Sequence, residues 1–564
     1  MVAQPPGPAC AAGDQPQPDQ KIASSHAPDM DRRSDPRQRG DVATPFAGPT
    51  TLPLKRQKCA PKPPLQRPDA DSRATVRENP TKSSRKRVTP PPRLATTIGV
   101  MSTSSARYVS TRGQSPETDF SDALLRGIAP DGGLYMPTAW PGLSPEAWTG
   151  TADYKAIALQ AIAPFIGDAL PAGALDRALD RLTAGFDHPL VTPLVELEPG
   201  LFVLELFHGP TAAFKDLAMQ LVASLTDEAL AASGERLTIL TATSGDTGAA
   251  AVRAFAGATS VDLVVLHPLD RVSPVQRKQM TTVEADNVLN LAVRGDFDDC
   301  QRLVKGLLAD EALRERGRLS SVNSINWARL AGQIPYYVSA TAQLGDAATF
   351  VVPTGNFGDA FAGIAATKMG LPSNGFVAAV NQNDALARAL NDGLYSRRPA
   401  VESGSVSMDV QAPSNFERLV LEATGRDAEA TRTVFETFAR DGAIAFDPDL
   451  LAALRDQVSA VSIDENETRA EIAHAYEAWG RVVCPHTAVA LAAARRQDRS
   501  KGPVVALSTA HPSKFGDFVS NVLGFEPEPA NVIAALGDKP ERLTIVDGTM
   551  EAARDAVAAF SGRH

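Results

Sequence analysis

From Leu201 onward the chain alternates short β-prone runs with longer helical stretches, and no other feature limits its fold as tightly. Candidate strands are Phe202–Phe207, Leu237–Thr241, Val261–Leu266, Val288–Val293, Thr349–Val352, Phe376–Val380 and Val504–Ser508. Helical stretches such as Phe297–Leu308 and Trp327–Ala342 lie between them. Strands joined by crossover helices run parallel, and the helices cover both faces of the sheet. The expected fold class is therefore α/β, with two lobes of open, mostly parallel sheet and a cleft between them. Upstream, the segment from Arg107 holds a turn, a short amphipathic helix and an Asp131-Gly132-Gly133 turn. Helical stretches follow around Asp153–Ile166 and Gly173–Thr183, which makes a small, mostly helical N-terminal lobe. Val401 to Phe416 reads as a loop, and Asp449–Arg495 as mostly helical.

Residues 1–100 differ in kind. They are rich in Pro, Ser, Gln and Arg, as in PKPPLQRP and RVTPPPR, with few aromatics and no sustained period. Such a composition buries too little apolar area to offset ordering entropy, so a disordered extension is expected. It lacks the apolar segment of a secretory signal, and its aspartates count against a transit peptide. The reading favoured here makes Met101 the functional start. These hundred residues carry 17 Lys+Arg against 9 Asp+Glu, whereas the whole 564-residue chain has a net charge of −10. The remainder is therefore at −18, a poor surface for nucleic acid although compatible with a local anion pocket. Cys10, Cys59, Cys300 and Cys484 are scattered without metal-ligand or CxxC spacing. That pattern points away from a metal site and a disulfide framework and towards a reducing, cytoplasmic setting. The longest apolar runs fall short of a membrane span, so no membrane partner is expected.

Lys215 is the residue that folding alone does not explain. Leu201–Phe207 has strand character, His208-Gly209-Pro210-Thr211 breaks it, and Thr211 is placed as an N-cap. Phe214, Leu217, Ala218, Leu221, Val222 and Leu225 then recur at helical spacing. A lysine in the first turn of that buried helix opposes the helix dipole and loses water, and both effects push its pKa down. A neutral amine is a nucleophile or a base. A lysine snorkelling off an amphipathic helix is the plainer reading of the same residue.

Two glycine turns stand at the ends of predicted strands, where open α/β sheets bind ligands. One is Thr241-Ala242-Thr243-Ser244-Gly245-Asp246-Thr247-Gly248, the other Pro353-Thr354-Gly355-Asn356-Phe357-Gly358-Asp359. Each precedes a helix, so free N–H groups would face an anion, and glycine lets a phosphate or carboxylate come close. Neither matches a Walker A or GxGxxG sequence. Either turn alone is also what an ordinary tight turn looks like. Together with Lys215 they suggest one turn for a cofactor phosphate, one for a substrate carboxylate, and an imine between the lysine and a cofactor aldehyde. That is the logic of pyridoxal 5'-phosphate.

Nine motifs occur in the order YVSTRG, DGGLYMP, FHGPTAAFKD, TATSGDTGAA, SPVQRKQM, NSINWARLAGQIPYY, PTGNFGD, PHTAVA and STAHPSKF. In these the chain, from about Arg107 to beyond Phe515, resembles the threonine synthase family of pyridoxal-phosphate enzymes, with a tryptophan-synthase-β-like fold. The resemblance implies a lyase of amino-acid biosynthesis that converts O-phospho-L-homoserine and water to L-threonine and phosphate. It implies Lys215 as the imine lysine and proton shuttle. Gly355, Asn356, Phe357 and Gly358 would cradle the cofactor phosphate, and Thr509 would meet the pyridine nitrogen. Ser244, Gly245, Asp246 and Thr247 would hold the substrate carboxylate and flank the cofactor ring. For the substrate phosphate the residues expected are Arg329, Ser324 and Asn326, with a surface ion pair as the other reading of Arg329. Arg277 and Lys278 read as a solvated face, and His208, His486 and His511 as structural. The expected division is an extension over 1–100, a helical lobe over 101–195, a two-lobed cofactor-binding region over 196–530 and a C-terminal segment over 531–564.

The chain departs from the family at Cys484, which stands before Pro-His-Thr where an acidic residue is usual. A small buried hydrophobe is expected there, with no catalytic part. Two other functions share most of these features. A serine or threonine dehydratase or phospho-lyase of the same fold would release a keto acid and ammonia. A non-catalytic relative would not be expected to keep Lys215, both turns and Thr509.

Overall fold

A computed structural model of the chain describes residues 106–561. The expectations for residues 1–100, the start at Met101, and Cys10 and Cys59 lie outside the described residues. All that follows concerns these described residues, which belong to the unit Thr96–His564.

Eleven strands form its two main sheets. In chain order they are β1 Leu194–Glu198, β2 Leu201–Glu205, β3 Leu237–Ala242, β4 Val261–Pro268, β5 Val288–Arg294, β6 Arg318–Ser320, β7 Thr349–Pro353, β8 Gly375–Val380, β9 Ser459–Ser462, β10 Val504–Ser508 and β11 Thr544–Asp547. One sheet has the order β9-β8-β7-β10-β2-β1, parallel throughout except for the β1–β2 pair. The other has the order β11-β5-β4-β3-β6 and is wholly parallel. All seven expected strands are present. The fold is thus the expected α/β arrangement, with helices filling the crossovers.

Three helices place the site. These are α1 Lys215–Ser233 after β2, α2 Asp246–Phe255 after β3, and α5 Gly358–Lys368 after β7. Between the last two in sequence lie α3 Pro274–Thr281 and α4 Trp327–Ala331. β3 and β4 are buried almost end to end, so their Val, Leu and Ile residues pack on both faces. α5 is anchored where Gly363 lies under Phe376 and Tyr337; a Cβ there would fall 2.3 Å from the Phe376 ring. Phe350 and Phe376 stack with centroids 5.7 Å apart, so the β7–α5 turn starts from a rigid base.

Two local expectations change. The stretch Trp327–Ala342 is not one helix: α4 ends at Gly332 and a second helix starts at Ile334, with Pro335 in its first turn. Proline lacks the N–H that a continuous helix needs, so the break falls where it stands. Thr211 is not the N-cap of α1. A tight turn with Ala212 at φ 56 delays the helix until Lys215, and the cap position is Phe214. The Thr211 N–H and hydroxyl instead donate to the buried Asp216 carboxylate, at 2.8 and 2.7 Å.

Candidate active site

Lys215 opens α1 with 12% of its side chain accessible. Its Nζ lies 3.4 Å from Asp246 Oδ2 and 3.4 Å from Ser407 Oγ. Burial pulls its pKa below the ordinary lysine value. Asp246 opposes that shift, while the charges of Lys514 and Arg329 reinforce it. Simple desolvation of a first-turn lysine therefore survives in three dimensions.

Asp246 is the first residue of α2 and is nearly inaccessible. Its Oδ1 accepts from Gln276 Nε2 at 2.8 Å and lies 3.1 Å from Lys514 Nζ. Burial alone would raise this carboxyl, but the ammonium groups of Lys514 and Lys215 outweigh it and hold it well below the usual carboxylate range. The turn before it is shaped by Thr243, whose hydroxyl accepts from the N–H groups of Gly245 and Gly248 at 2.9 and 2.8 Å. Gly245 has φ 143, and a Cβ on it would fall 2.3 Å from Gln276. The N–H groups of Ser244, Asp246 and Thr247 then have no partner among the described residues.

The second turn is built the same way. Thr354 Oγ1 accepts from the Phe357 N–H at 3.1 Å and donates to the buried Asp359 at 2.5 Å. Phe357 takes the left-handed conformation at φ 62 and caps α5. Among the described residues the N–H groups of Gly355, Asn356 and Gly358 are unpartnered. A Cβ on Gly355 would sit 2.3 Å from the Ser407 carbonyl oxygen, so this turn comes within touching distance of the residue beside Lys215. Thr509 lies on the other side: its carbonyl accepts from the Phe214 N–H at 2.8 Å. The six free N–H groups, two glycines and one amine match a phosphate, a carboxylate and an aldehyde.

Arg329, on α4, is only 4% exposed, and its Nε and Nη1 have no partner among the described residues. It is not in a surface ion pair. Burial pulls its pKa down to about 10. Asn326 caps α4 by accepting from Ala328 N at 2.9 Å, and its Nδ2 donates to Leu124 O at 2.8 Å. Among the described residues the other N–H of that amide has no partner. Ser324 is half-buried, and its carbonyl accepts from Asn415 Nδ2 at 3.1 Å. The same Nδ2 donates to Asn356 O at 3.0 Å, so Asn415 ties the 323–326 turn to the 355–358 turn. Arg418 backs this buckle. Its guanidinium donates to Tyr135 O at 3.0 Å, to Ile325 O at 2.7 Å and to Asn415 Oδ1.

Ser407, Asn415, Gln276 and Lys514 were not legible as site residues. Ser407 and Asn415 lie in the segment read as a loop, which carries a short 3-10 turn, Val406–Met408. Gln276 and Lys514 lie inside motifs that were quoted for other residues. Arg277 is not on a solvated face: it bonds Glu541 at 2.9 and 3.0 Å, and Lys278 donates to Gly537 O, so both hold the C-terminal segment. His208 bridges Glu205 at 2.9 Å and Asp187 at 3.3 Å, and His511 pairs with Ser513. Cys484 is fully buried and caps the helix Pro485–Ala494, its sulfur accepting from Thr487 N at 3.4 Å. Burial pushes its thiol pKa up, so it is inert, as expected.

His486 is structural yet belongs to the site. Its Nε2 accepts the Ser407 N–H at 3.2 Å, and Nδ1 has no partner among the described residues. Burial pulls its pKa down to about 3, so it is neutral in the folded state at all ordinary pH. Above pH 6.5 the unfolded chain gains nothing by protonation there. As pH falls from 6.5 towards 3 only the unfolded form takes the proton, so stability is lost on the acid side. The expected slope is roughly 1.4 kcal/mol per pH unit. Melting curves between pH 7 and 5 check this: His486→Gln should flatten the acid limb relative to the parent.

The family model for pyridoxal-phosphate dependent enzymes matches residues 186–510, that for the threonine synthase N terminus residues 107–182, and that for the threonine synthase C-terminal region residues 487–557. Threonine synthase of Pseudomonas aeruginosa is 41% identical over 466 residues, covering 81% of this chain and 98% of the relative. The crystal structure of PLP-bound threonine synthase from Brucella melitensis superposes with TM-score 0.79 at 44% identity, over 81% of this chain and 100% of the other. Yeast threonine synthase gives TM-score 0.77 at 33% identity, over 82% and 99%. With three consecutive family models and near-full-length relatives in agreement, the chain belongs to the threonine synthase family of pyridoxal-phosphate-dependent enzymes.

Proposed function

We propose that the chain converts O-phospho-L-homoserine and water to L-threonine and phosphate, with pyridoxal 5'-phosphate bound between the two glycine turns. The observation that carries this reading is the amine of Lys215, its pKa lowered by burial, beside Asp246 and within the same cluster as the 355–358 turn. The cofactor, when bound, supplies an electron sink conjugated with the substrate Cα. The N–H groups of Gly355, Asn356 and Gly358 would hold its phosphate at the start of α5, and the Thr509 hydroxyl would serve its pyridine nitrogen. The N–H groups of Ser244 and Thr247 with Gly245 would hold the substrate carboxylate, with Asp246 on the cofactor's side. Arg329 supplies a desolvated guanidinium for the substrate phosphate, with Ser324 and the free N–H of Asn326 beside it.

Lys215 is the proton carrier. With cofactor and substrate bound, its amine would remove the Cα proton and serve the proton transfers at Cβ and Cγ. Phosphate leaves from Cγ, water gives its hydroxyl to Cβ and its proton to the departing phosphate, and the protons taken from Cα and Cβ are returned to Cγ and Cα. Ser407, pinned through His486, sets its hydroxyl 3.4 Å from the Lys215 amine. Purified protein given O-phosphohomoserine should release threonine and phosphate in equal amounts. Formation of 2-oxobutyrate and ammonia instead would favour a dehydratase-like lyase. A cytoplasmic location fits the two described cysteines, Cys300 and Cys484, both free and buried. Among the described residues no helix is long and apolar enough to cross a membrane.

A further inference from the structure

Among the buried charged side chains that play no part in the proposed reaction, Lys514 is the one in contact with Asp246. Lys514 follows β10 in a short turn, Pro512–Phe515, and its side chain is wholly inaccessible. Its Nζ donates to Thr211 O at 2.7 Å and Gln279 Oε1 at 2.9 Å, and lies 3.1 Å from Asp246 Oδ1. Three acceptors surround one nitrogen, and only an ammonium has three hydrogens to offer them. Four pieces of chain meet here: the 209–212 turn, α2, α3 and the 512–515 turn. An ion buried to this depth costs several kcal/mol unless it is paired. Nothing in the family motifs as read above assigns Lys514 a task.

The two oxygens of Asp246 are held unequally. Oδ1 has Gln276 at 2.8 Å and Lys514 at 3.1 Å, whereas Oδ2 has only Lys215 and Ser407, each at 3.4 Å. We propose that Lys514 is a positioning residue, the standing counter-ion of Asp246, which keeps that carboxylate ionised and spares Lys215 from serving as its cation. The proposal rests on the reading of Lys215 as the residue that takes the cofactor. In that step Lys215 Nζ bonds to the aldehyde carbon and the aldehyde oxygen leaves as water. The nitrogen needs its lone pair for this, so a protonated Lys215 does not react. Without Lys514, the Asp246 carboxylate would have Lys215 as its nearest cation and would hold the proton on it. With Lys514 in place the carboxylate is already paired, and a second positive charge beside Lys215 is disfavoured. When Lys215 gives up its charge, Asp246 is still not left alone.

The other charged or titratable groups around this centre act in known directions. Arg329 adds positive charge near Lys215, and Asp359 acts on Lys215 from α5. His486 is neutral, and Asp216 is bonded to Thr211 and faces Lys514. None of them touches Asp246 as Lys514 does.

The test uses the full chain freed of cofactor, as the parent, Lys514→Met, Asp246→Asn and the double variant. Melting without cofactor reads the ion pair alone. Lys514→Met should lower the melting temperature sharply, and adding Asp246→Asn should recover part of the loss, because the stranded carboxylate is gone. Attachment of saturating pyridoxal phosphate, followed by visible absorbance and fixed by borohydride, reads the effect on Lys215. Lys514→Met should slow attachment about tenfold near pH 7.5, the equivalent of one pH unit, and shift its pH profile upward. The double variant should attach the cofactor faster than Lys514→Met does. If Lys514→Met does not fold while the double variant does, the charge role stands. If neither folds, Lys514 is a packing residue and the proposal fails. It fails also if Lys514→Met attaches cofactor at the parent rate, or if removing Asp246 gives no recovery. A parent that never takes up the cofactor would sink the functional reading, while the melting comparison would still report on the pair.

Discussion

Replacing Lys215 by alanine is expected to abolish turnover of O-phosphohomoserine, by about 10^4-fold or more, since both the covalent anchor and the proton carrier are lost. The fold should hardly notice. The amine makes no contact shorter than 3.4 Å to a polar atom, and its burial is unfavourable to its charge. Removing it therefore strands little, and Asp246 keeps Gln276 and Lys514. The melting temperature without cofactor should stay within a few degrees of the parent. Measured together, activity and melting separate a lost reaction from a lost fold. A variant with near-normal activity would refute the assignment.

Arg329→Leu should lower kcat/KM for O-phosphohomoserine by on the order of 10^2 to 10^4, the worth of two charge-assisted hydrogen bonds. The same change should leave stability unchanged or raise it. A buried guanidinium whose Nε and Nη1 are unpartnered is a cost to the folded state, and a leucine of similar reach removes that cost. Arg418 supplies the contrast. It is equally buried, and burial pulls it down to about 9, yet carbonyl and amide oxygens take its N–H groups. Arg418 therefore reads as structure and Arg329 as a binding group awaiting an anion. Inorganic phosphate should raise the melting temperature of the parent and not that of Arg329→Leu. A variant that is less stable yet fully active would reverse the assignment.

Much of this was readable before any coordinates, and the physical reason is local. Runs such as VDLVVLHP become β4 because both faces are buried, so apolar residues dominate and Asp262 is bonded to Arg236. Strands that carry polar residues or lie at sheet edges escaped notice. Ser459–Ser462 sits inside a helical stretch and Arg318–Ser320 is half-exposed, so neither shows a period. Lys215 and the two turns announce themselves within ten residues each. Lys514, Ser407 and Asn415 do not. Ser407 is 192 positions from Lys215, and Asn415 joins turns 91 and 59 positions away. Their roles exist only once the sheets have brought those segments together. Arg329 fell between: its motif pointed to an anion, but only its burial without an ion pair separates that from a surface bridge.

The most direct test of the central claim is to reduce the cofactor-loaded protein with borohydride and map the labelled peptide. The account predicts a single pyridoxyl group, on Lys215, with loss of the visible absorbance. A label on Lys514 or any other lysine, or no label under conditions that give the absorbance, would contradict it.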